Sequence, residues 1–273
     1  LLSSLYPFNY LSSNPNGYAV LMYHRIVEDK MWQTEILPDL SVKVSEFEKQ
    51  IEFLNNNFAC ISLTEMVQRL KDGEKPDKLF VSITFDDGYA DNYKFGHPVL
   101  RKFGNKATIF VTTDYVNDNS IKPYWDELKD FTKITHDKIS FQGENGNIFD
   151  FDLASLKGKR QFVTSVNKMI YNNMFSINHL SNILKSKYSD NHIRKNDFFT
   201  WDLLNIAIES GNFEVGCHTE SHPILGYLDD NGQEEIELSK HILENKLQIP
   251  VNLFSYPYGS GINVTTPEVI SHV

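Results

Sequence analysis

Short apolar runs alternate with longer stretches of helical spacing along this 273-residue chain, and the alternation predicts its elements. After a loop-like start containing Asn14, Pro15, Asn16 and Gly17, residues 18–24 (Tyr-Ala-Val-Leu-Met-Tyr-His) read as a buried strand. Phe47, Ile51, Leu54 and Phe58 then recur on one helix face, with Ser45 as the N-cap. A short strand at 60–63 leads to a helix capped by Thr64, with Met66, Val67 and Leu70 turned inward. Beyond a polar turn at 71–76, residues 80–85 form a strand, 92–103 a helix interrupted near Pro98, and 107–111 a further strand. The rhythm breaks between 115 and 199, a segment rich in Lys, Asn and Ser with helical pieces at 162–171 and 177–188. It resumes with a helix capped by Thr200 and stopped at Gly211, then a strand ending at His218. A helix with Ile236, Ile242, Leu243 and Leu247 inward follows, and a last strand with a sharp turn covers 253–259. There is no internal repeat.

Strand and helix alternating in this way favour a parallel sheet with crossover helices over a sandwich. The expected fold class is α/β, a closed or nearly closed (β/α) barrel. Residues 1–273 are read as a single domain, and 115–199 as an insertion within it that forms a lid or one wall of the substrate cleft.

Two strand ends carry unusual polar residues. The strand at 80–85 stops in Asp86, Asp87 and Gly88, and the later strand stops at His218, with His222 four residues on. An Asp-Asp-Gly is most often a turn and a lone His-x-x-x-His a helix surface. Adjacent carboxylates are nevertheless costly to place together without a cation or a proton between them. Two imidazoles and a carboxylate are also the ligand set of hydrolytic zinc sites and of open-sided iron sites. Sites in α/β proteins gather at the carboxyl ends of strands, so the joint placement points to a metal. An iron-dependent oxygenase uses the same set, but normally on a β-sandwich and with His-x-Asp spacing.

Composition narrows the partners. A 41% apolar and 13% aromatic chain can bury a large core. A formal charge of −10 without a basic stretch disfavours nucleic acid and anionic membrane surfaces. Cys60 and Cys217 are the only cysteines, and Cys217 reads as a buried thiol rather than half of a disulfide, which leans toward a reducing, cytoplasmic compartment over export. No apolar run reaches transmembrane length and no basic-then-apolar signal segment opens the chain, although its first residue is Leu rather than Met.

With Thr84-Phe-Asp-Asp-Gly88, His218-Thr-Glu-Ser-His222 and Ser255-Tyr-Pro-Tyr-Gly259 in this order, the chain resembles the polysaccharide deacetylases, carbohydrate esterase family 4 with the NodB-like fold. The resemblance spans about residues 18–259 apart from the insertion, and implies a distorted or incomplete (β/α) barrel. It also implies a metal-dependent hydrolase that removes N-acetyl groups from an amino-sugar polysaccharide or glycan precursor. By the same resemblance Asp86 is the general base, Asp87, His218 and His222 hold the metal, and the backbone N–H of Tyr258 helps hold the oxyanion. Zinc is the expected ion, with cobalt or nickel as substitutes. No Leu-x-His motif follows Gly259, whereas residues 20–24 look like that strand moved to the front, similar to the circularly permuted bacterial poly-N-acetylglucosamine deacetylases. On that pattern His24 is the catalytic acid.

A cation in such a site activates a water molecule and polarises the amide carbonyl. Tyr256 and Pro257 in the third motif, with Tyr89 and Trp125, are the candidate substrate contacts, the aromatic rings stacking on sugars. Two departures from the family pattern stand out: Ser255 occupies the region where an arginine often braces the base, and the chain stops at Val273 before a further expected strand. They give some weight to a non-catalytic carbohydrate-binding relative.

Overall fold

The computed structural model describes residues 16–118, 120–144, 146–172, 174–187, 197–228, 232–259, 266–271 and 273. The loop-like start at Asn14 and Pro15 and the helix end at Tyr188 lie outside them. The strands are β1 (Gly17–Tyr23), β2 (Arg25–Val27), β3 (Ser41–Lys43), β4 (Ala59–Cys60), β5 (Leu79–Phe85), β6 (Ala107–Val111), β7 (Lys138–Gln142), β8 (Ile148–Asp152) and β9 (Phe213–Cys217). The chain divides into two compact units, one made of residues 1–29, 42–118 and 197–273, the other of 30–41 and 119–196.

The first unit is built on a parallel sheet in the order β1-β5-β6-β9. All seven residues of β5 are buried, as befits a central parallel strand covered on both faces. β1 pairs along the whole of one edge of β5. β4 takes the start of the other edge, at Phe80 and Val81, and β6 takes its end from Ile83 onward. Two short strands thus share one edge, which gives the sheet an incomplete, distorted barrel wall. At the far side, Cys217 N–H donates to Leu253 O (2.8 Å) and Ser255 N–H to Cys217 O (2.9 Å), so residues 253–255 extend the parallel arrangement beyond β9. Phe47, Ile51, Leu54, Leu100, Leu204 and Leu243 bring the surrounding helices onto this sheet.

Several helix starts differ from the sequence expectation. Helix Val44–Asn57 has no side-chain N-cap, because β3 runs straight into it, and the N–H of Ser45 bonds the Asp29 carboxylate instead. The cap of helix Leu63–Lys71 is Ser62, whose hydroxyl accepts from Glu65 N–H, while Thr64 N–H goes to Glu214. Of that helix's apolar residues only Met66 is buried, and Leu70 faces solvent. The strand expected at 60–63 is shorter and earlier, at Ala59–Cys60. The interruption near Pro98 is a wide π-type turn over Asn92–Gly96, after which helix His97–Phe103 carries Pro98 in its first turn, where a missing N–H costs nothing.

The second unit has helices Tyr124–Ile134, Leu156–Tyr171 and Ile177–Lys187 and the antiparallel hairpin β7–β8. Its core is aromatic: Phe141 stacks on Phe162 at 5.4 Å, and Phe131 and Phe151 pack against the same ring. Residues 30–41 belong to it through Glu35, which is buried, pairs with Lys129 at 3.0 Å and has its carbonyl bonded by Arg160. No helix among the described residues is long and apolar enough to cross a membrane.

Gly216 in β9 allows residues 253–255 to lie close, since a Cβ there would come within 2.4 Å of the Phe110 ring and 3.0 Å of Leu253 O. Gly216→Ala is therefore expected to cost about 1–3 kcal/mol of stability, the range for overpacking a tight core. Urea denaturation should show a lowered midpoint, and an unchanged one would contradict this packing.

Candidate active site

Parallel register puts the chemistry-bearing residues at neighbouring strand ends. Tyr23 pairs with Phe85, and the next N–H, that of Asp86, still donates to Tyr23 O at 2.9 Å, so His24 and Asp86 leave the sheet side by side. On the other flank His218 N–H donates to Val111 O at 3.0 Å. Beyond β5 the backbone turns through Asp87 (φ 72°) and Gly88 (φ 79°), both left-handed, which swings the second carboxylate under the sheet end. Among the described residues five non-glycine positions have positive φ, and four of them, Asp87, Thr219, His222 and Tyr258, lie here. Such strain gathers where surrounding structure over-determines a functional geometry.

Asp87, His218 and His222 meet at one point. His218 Nε2 and His222 Nε2 lie 3.5 and 3.3 Å from Asp87 Oδ1, and all three side chains are buried. Neither oxygen of Asp87 has a hydrogen-bond partner among the described residues. His218 Nδ1 lies 2.8 Å from the carbonyl of Ser255, which can only accept, so Nδ1 carries a proton and Nε2 faces the Asp87 carboxylate, with a lone pair whenever the ring is neutral. Two lone-pair atoms held this way repel unless a cation or proton lies between them. Tetrahedral coordination with bonds of about 2.0–2.2 Å separates ligand atoms by about 3.3–3.6 Å. The two separations from Asp87 match and all three ligand atoms lie within 4.8 Å of one another, so the residues fit a divalent cation.

Electrostatics separates the two aspartates. Burial pushes the Asp86 carboxyl up, and the nearby histidines only partly offset it. Burial would also raise Asp87, but the two imidazoles facing it outweigh this and hold it well below the usual carboxylate range. Burial alone would lower His218, yet Asp86 and Asp87 push it up, whereas His222 is lowered by burial. His24 acts on the carboxyls of both Asp86 and Asp87.

Two supporting residues, Asn92 and Asp91, were not singled out by sequence, and a third, Ser255, was noted only for standing where an arginine often braces the base. Ser255 Oγ donates to Asp86 Oδ2 at 3.3 Å, a neutral contact in the region where an arginine was expected. Asn92, fully buried, donates to His24 O at 2.7 Å. Asp91 binds the N–H of Ile26 and the guanidinium of Arg25, both at 3.0 Å, fixing the chain just after His24. The signal for Asp91 and Asn92 was their place four and five residues after Asp87, where the next helical segment begins.

The expected aromatic contacts fare unevenly. Tyr258 packs its ring 4.8 Å from that of His222. Tyr256 is half-buried against Phe254, and Pro257 is buried. Tyr89 has to be corrected: its ring is fully buried, stacked on Phe198 at 4.5 Å with the Arg25 guanidinium 4.4 Å from its centre, and offers no face to a sugar. Trp125 is likewise a core ring, 6% exposed and edge-on to Tyr124.

The sequence model of the family described as polysaccharide deacetylase matches residues 73–138 and 167–272, more than half of the chain. The chain belongs to the polysaccharide deacetylase family. The Bacillus subtilis (strain 168) protein YxkH is 38% identical over 101 residues, covering 37% of this chain and 33% of its own. A poly-beta-1,6-N-acetyl-D-glucosamine N-deacetylase of Staphylococcus aureus (strain MRSA252) is 28% identical over 156 residues, 50% of this chain and 53% of its own. The chain thus spans between a third and about half of these curated relatives. Among solved structures, the Streptococcus pyogenes deacetylase PplD in complex with acetate superposes with a TM-score of 0.56 at 18% identity, over 95% of this chain and 80% of that one. IcaB from Ammonifex degensii gives 0.55 at 18%, over 94% and 79%. At these identities the likeness establishes the fold, the incomplete (β/α) barrel of the deacetylases. The β-sandwich on which an oxygenase reading depends is not this fold.

A cation held by this cluster would compete with protons for His218. Since its folded value is raised above the usual value of about 6.5, Zn2+ affinity should be level at higher pH and fall by about tenfold per pH unit below that raised value. Calorimetric titration between about pH 5 and 8 tests this, and a flat profile would contradict the ligand assignment.

Proposed function

We propose that this protein is a metal-dependent N-deacetylase that hydrolyses the acetamido groups of an amino-sugar polysaccharide, poly-N-acetylglucosamine being the favoured class. The observation carrying this reading is the buried Asp87–His218–His222 cluster with Asp86 beside it at the strand ends of a polysaccharide deacetylase chain. The relatives called poly-beta-1,6-N-acetyl-D-glucosamine N-deacetylases support the choice of polymer.

Asp87, His218 and His222 would hold a divalent cation, zinc first among the candidates. When bound, such an ion polarises the amide carbonyl and makes water more acidic. Asp86 takes a proton from the attacking water as its oxygen adds to the carbonyl carbon. Its raised proton affinity makes it a stronger base than an exposed carboxylate, and the Ser255 hydroxyl fixes one of its oxygens. The backbone N–H of Tyr258 donates to the oxyanion that forms. His24, its backbone gripped by Asn92, gives a proton to the nitrogen as the C–N bond breaks. The products are acetate and a free amine, and the site is reset when Asp86 gives its proton to solvent and His24 takes one back from it.

Acetate release from N-acetylglucosamine oligomers of several lengths, with and without chelator, tests the activity, and no release from any length would refute it. Asp86→Asn and His24→Ala should each lower kcat by about 100- to 10,000-fold, the usual worth of an acid or base. Both variants should keep the parent's metal content. A His24→Ala enzyme with parental turnover would remove His24 from the mechanism.

A further inference from the structure

The turn between the two histidines is strained. Thr219 (φ 66°) and His222 (φ 62°) both sit in the left-handed region, which is unfavourable for a residue that is not glycine. Contacts from two directions hold it there. From the end of β6, Thr112 Oγ1 donates to His218 O (3.1 Å), Thr113 N–H to Thr219 O (3.3 Å) and Asp114 N–H to Glu220 O (3.0 Å). On the other side is Glu235, in the first turn of helix Gln233–Leu247. Its Oε2 accepts from Glu220 N–H (3.0 Å) and Ser221 N–H (2.8 Å), and its Oε1 accepts from Ser221 Oγ (2.6 Å). The two backbone N–H groups just before His222 therefore end on one side chain from an element 14 residues away. That helix is anchored by Ile236, Leu243 and Leu247, all buried, so the carboxylate is presented from a rigid base.

The charge of Glu235 is not what the turn needs. Asp114 nearby is pushed up, by burial first and then by neighbouring acids, Glu235 foremost. A carboxylate among carboxylates is electrostatically unfavourable, and three hydrogen bonds are its visible compensation. We propose that Glu235 is a positioning residue for the second imidazole: by clamping Glu220 and Ser221 it holds the 219–221 turn in the conformation that sets His222 Nε2 3.3 Å from Asp87 Oδ1. This rests on the metal-site reading above. Without the clamp the turn relaxes toward ordinary φ and the third ligand is no longer preorganised.

The experiment is Zn2+ affinity by chelator competition on the full chain, with Co2+ absorbance as a report on coordination and thermal unfolding of the metal-free protein alongside. Glu235→Ala should weaken Zn2+ by about 10- to 100-fold, the range for losing a residue that orients a ligand, and should alter the Co2+ spectrum. Glu235→Gln should stay within about threefold of the parent, because its amide oxygen can accept both N–H groups and its nitrogen can donate to Ser221 Oγ. Glu237→Ala, in the same helix and bonded to Gln233, should change nothing. If Glu235→Ala does not fold, Glu235→Asp decides: it keeps the charge but withdraws the carboxylate, and a loss of about fivefold or more is expected. Parental affinity in Glu235→Ala or Glu235→Asp, or a Gln variant as weak as the Ala variant, would overturn the proposal. A parent protein that binds no Zn2+ would instead overturn the metal-site reading itself.

Discussion

A buried carboxylate facing two imidazole nitrogens is the constraint around which the first unit is organised. Asp87 is 1% exposed, and neither of its oxygens is hydrogen-bonded among the described residues. Left alone, such a group is among the most unfavourable things a fold can bury. It is tolerable only with positive charge at the point it shares with His218 and His222. Proton or cation, the same geometry serves, and the Ser255 carbonyl on His218 Nδ1 leaves Nε2 as the atom turned toward Asp87.

Holding that point requires backbone that sequence propensity alone disfavours. Asp87, Thr219, His222 and Tyr258 adopt left-handed φ, each at some cost. The parallel strands supply the compensation. Ladder bonds continue one step past β5 and β9, to Asp86 and His218, so the chain is pinned immediately before it must turn sharply. Placing the strain there leaves the strands regular and concentrates irregular conformation in the few residues that face the site.

Much of this was legible in the sequence because the strand ends are written in it. Leu79–Phe85 and Phe213–Cys217 are mainly apolar runs, and the carboxylates of the first motif and the first histidine of the second stand where each run stops. Helix caps were less legible. Ser45 and Thr64 are good capping residues, but β3 leads directly into one helix and Ser62 precedes the other, so tertiary context displaced both. The hairpin β7–β8 was missed although Lys138–Gln142 and Ile148–Asp152 alternate in polarity, because two short strands amid polar loops give a weak signal. Tyr89 and Trp125 were expected at a sugar because aromatic rings near a motif look alike whether they line a cleft or fill a core, and only burial separates the two. Glu235 has no local signature at all. Its bonds run to a turn 14 residues earlier that only the fold brings near.

Adjacency of Asp86 and Asp87 carries the last step. Two aspartates in succession share nearly every bulk property, yet one is pushed up by burial and the other held down by the imidazoles it faces. Groups whose proton affinities are driven apart by environment are suited to different roles, one to take a proton and the other to stay charged. What separates them is a single backbone event. Asp86 leaves β5 in ladder register beside His24, and Asp87 turns left-handed beneath it. Because the division of roles follows from backbone direction, either aspartate moved to the other's position would meet the other's electrostatics. The neutral Ser255 hydroxyl on Asp86 fits the same logic. An arginine there would pull the carboxyl down toward Asp87, whereas a hydroxyl orients the oxygen and leaves burial to keep its proton affinity high.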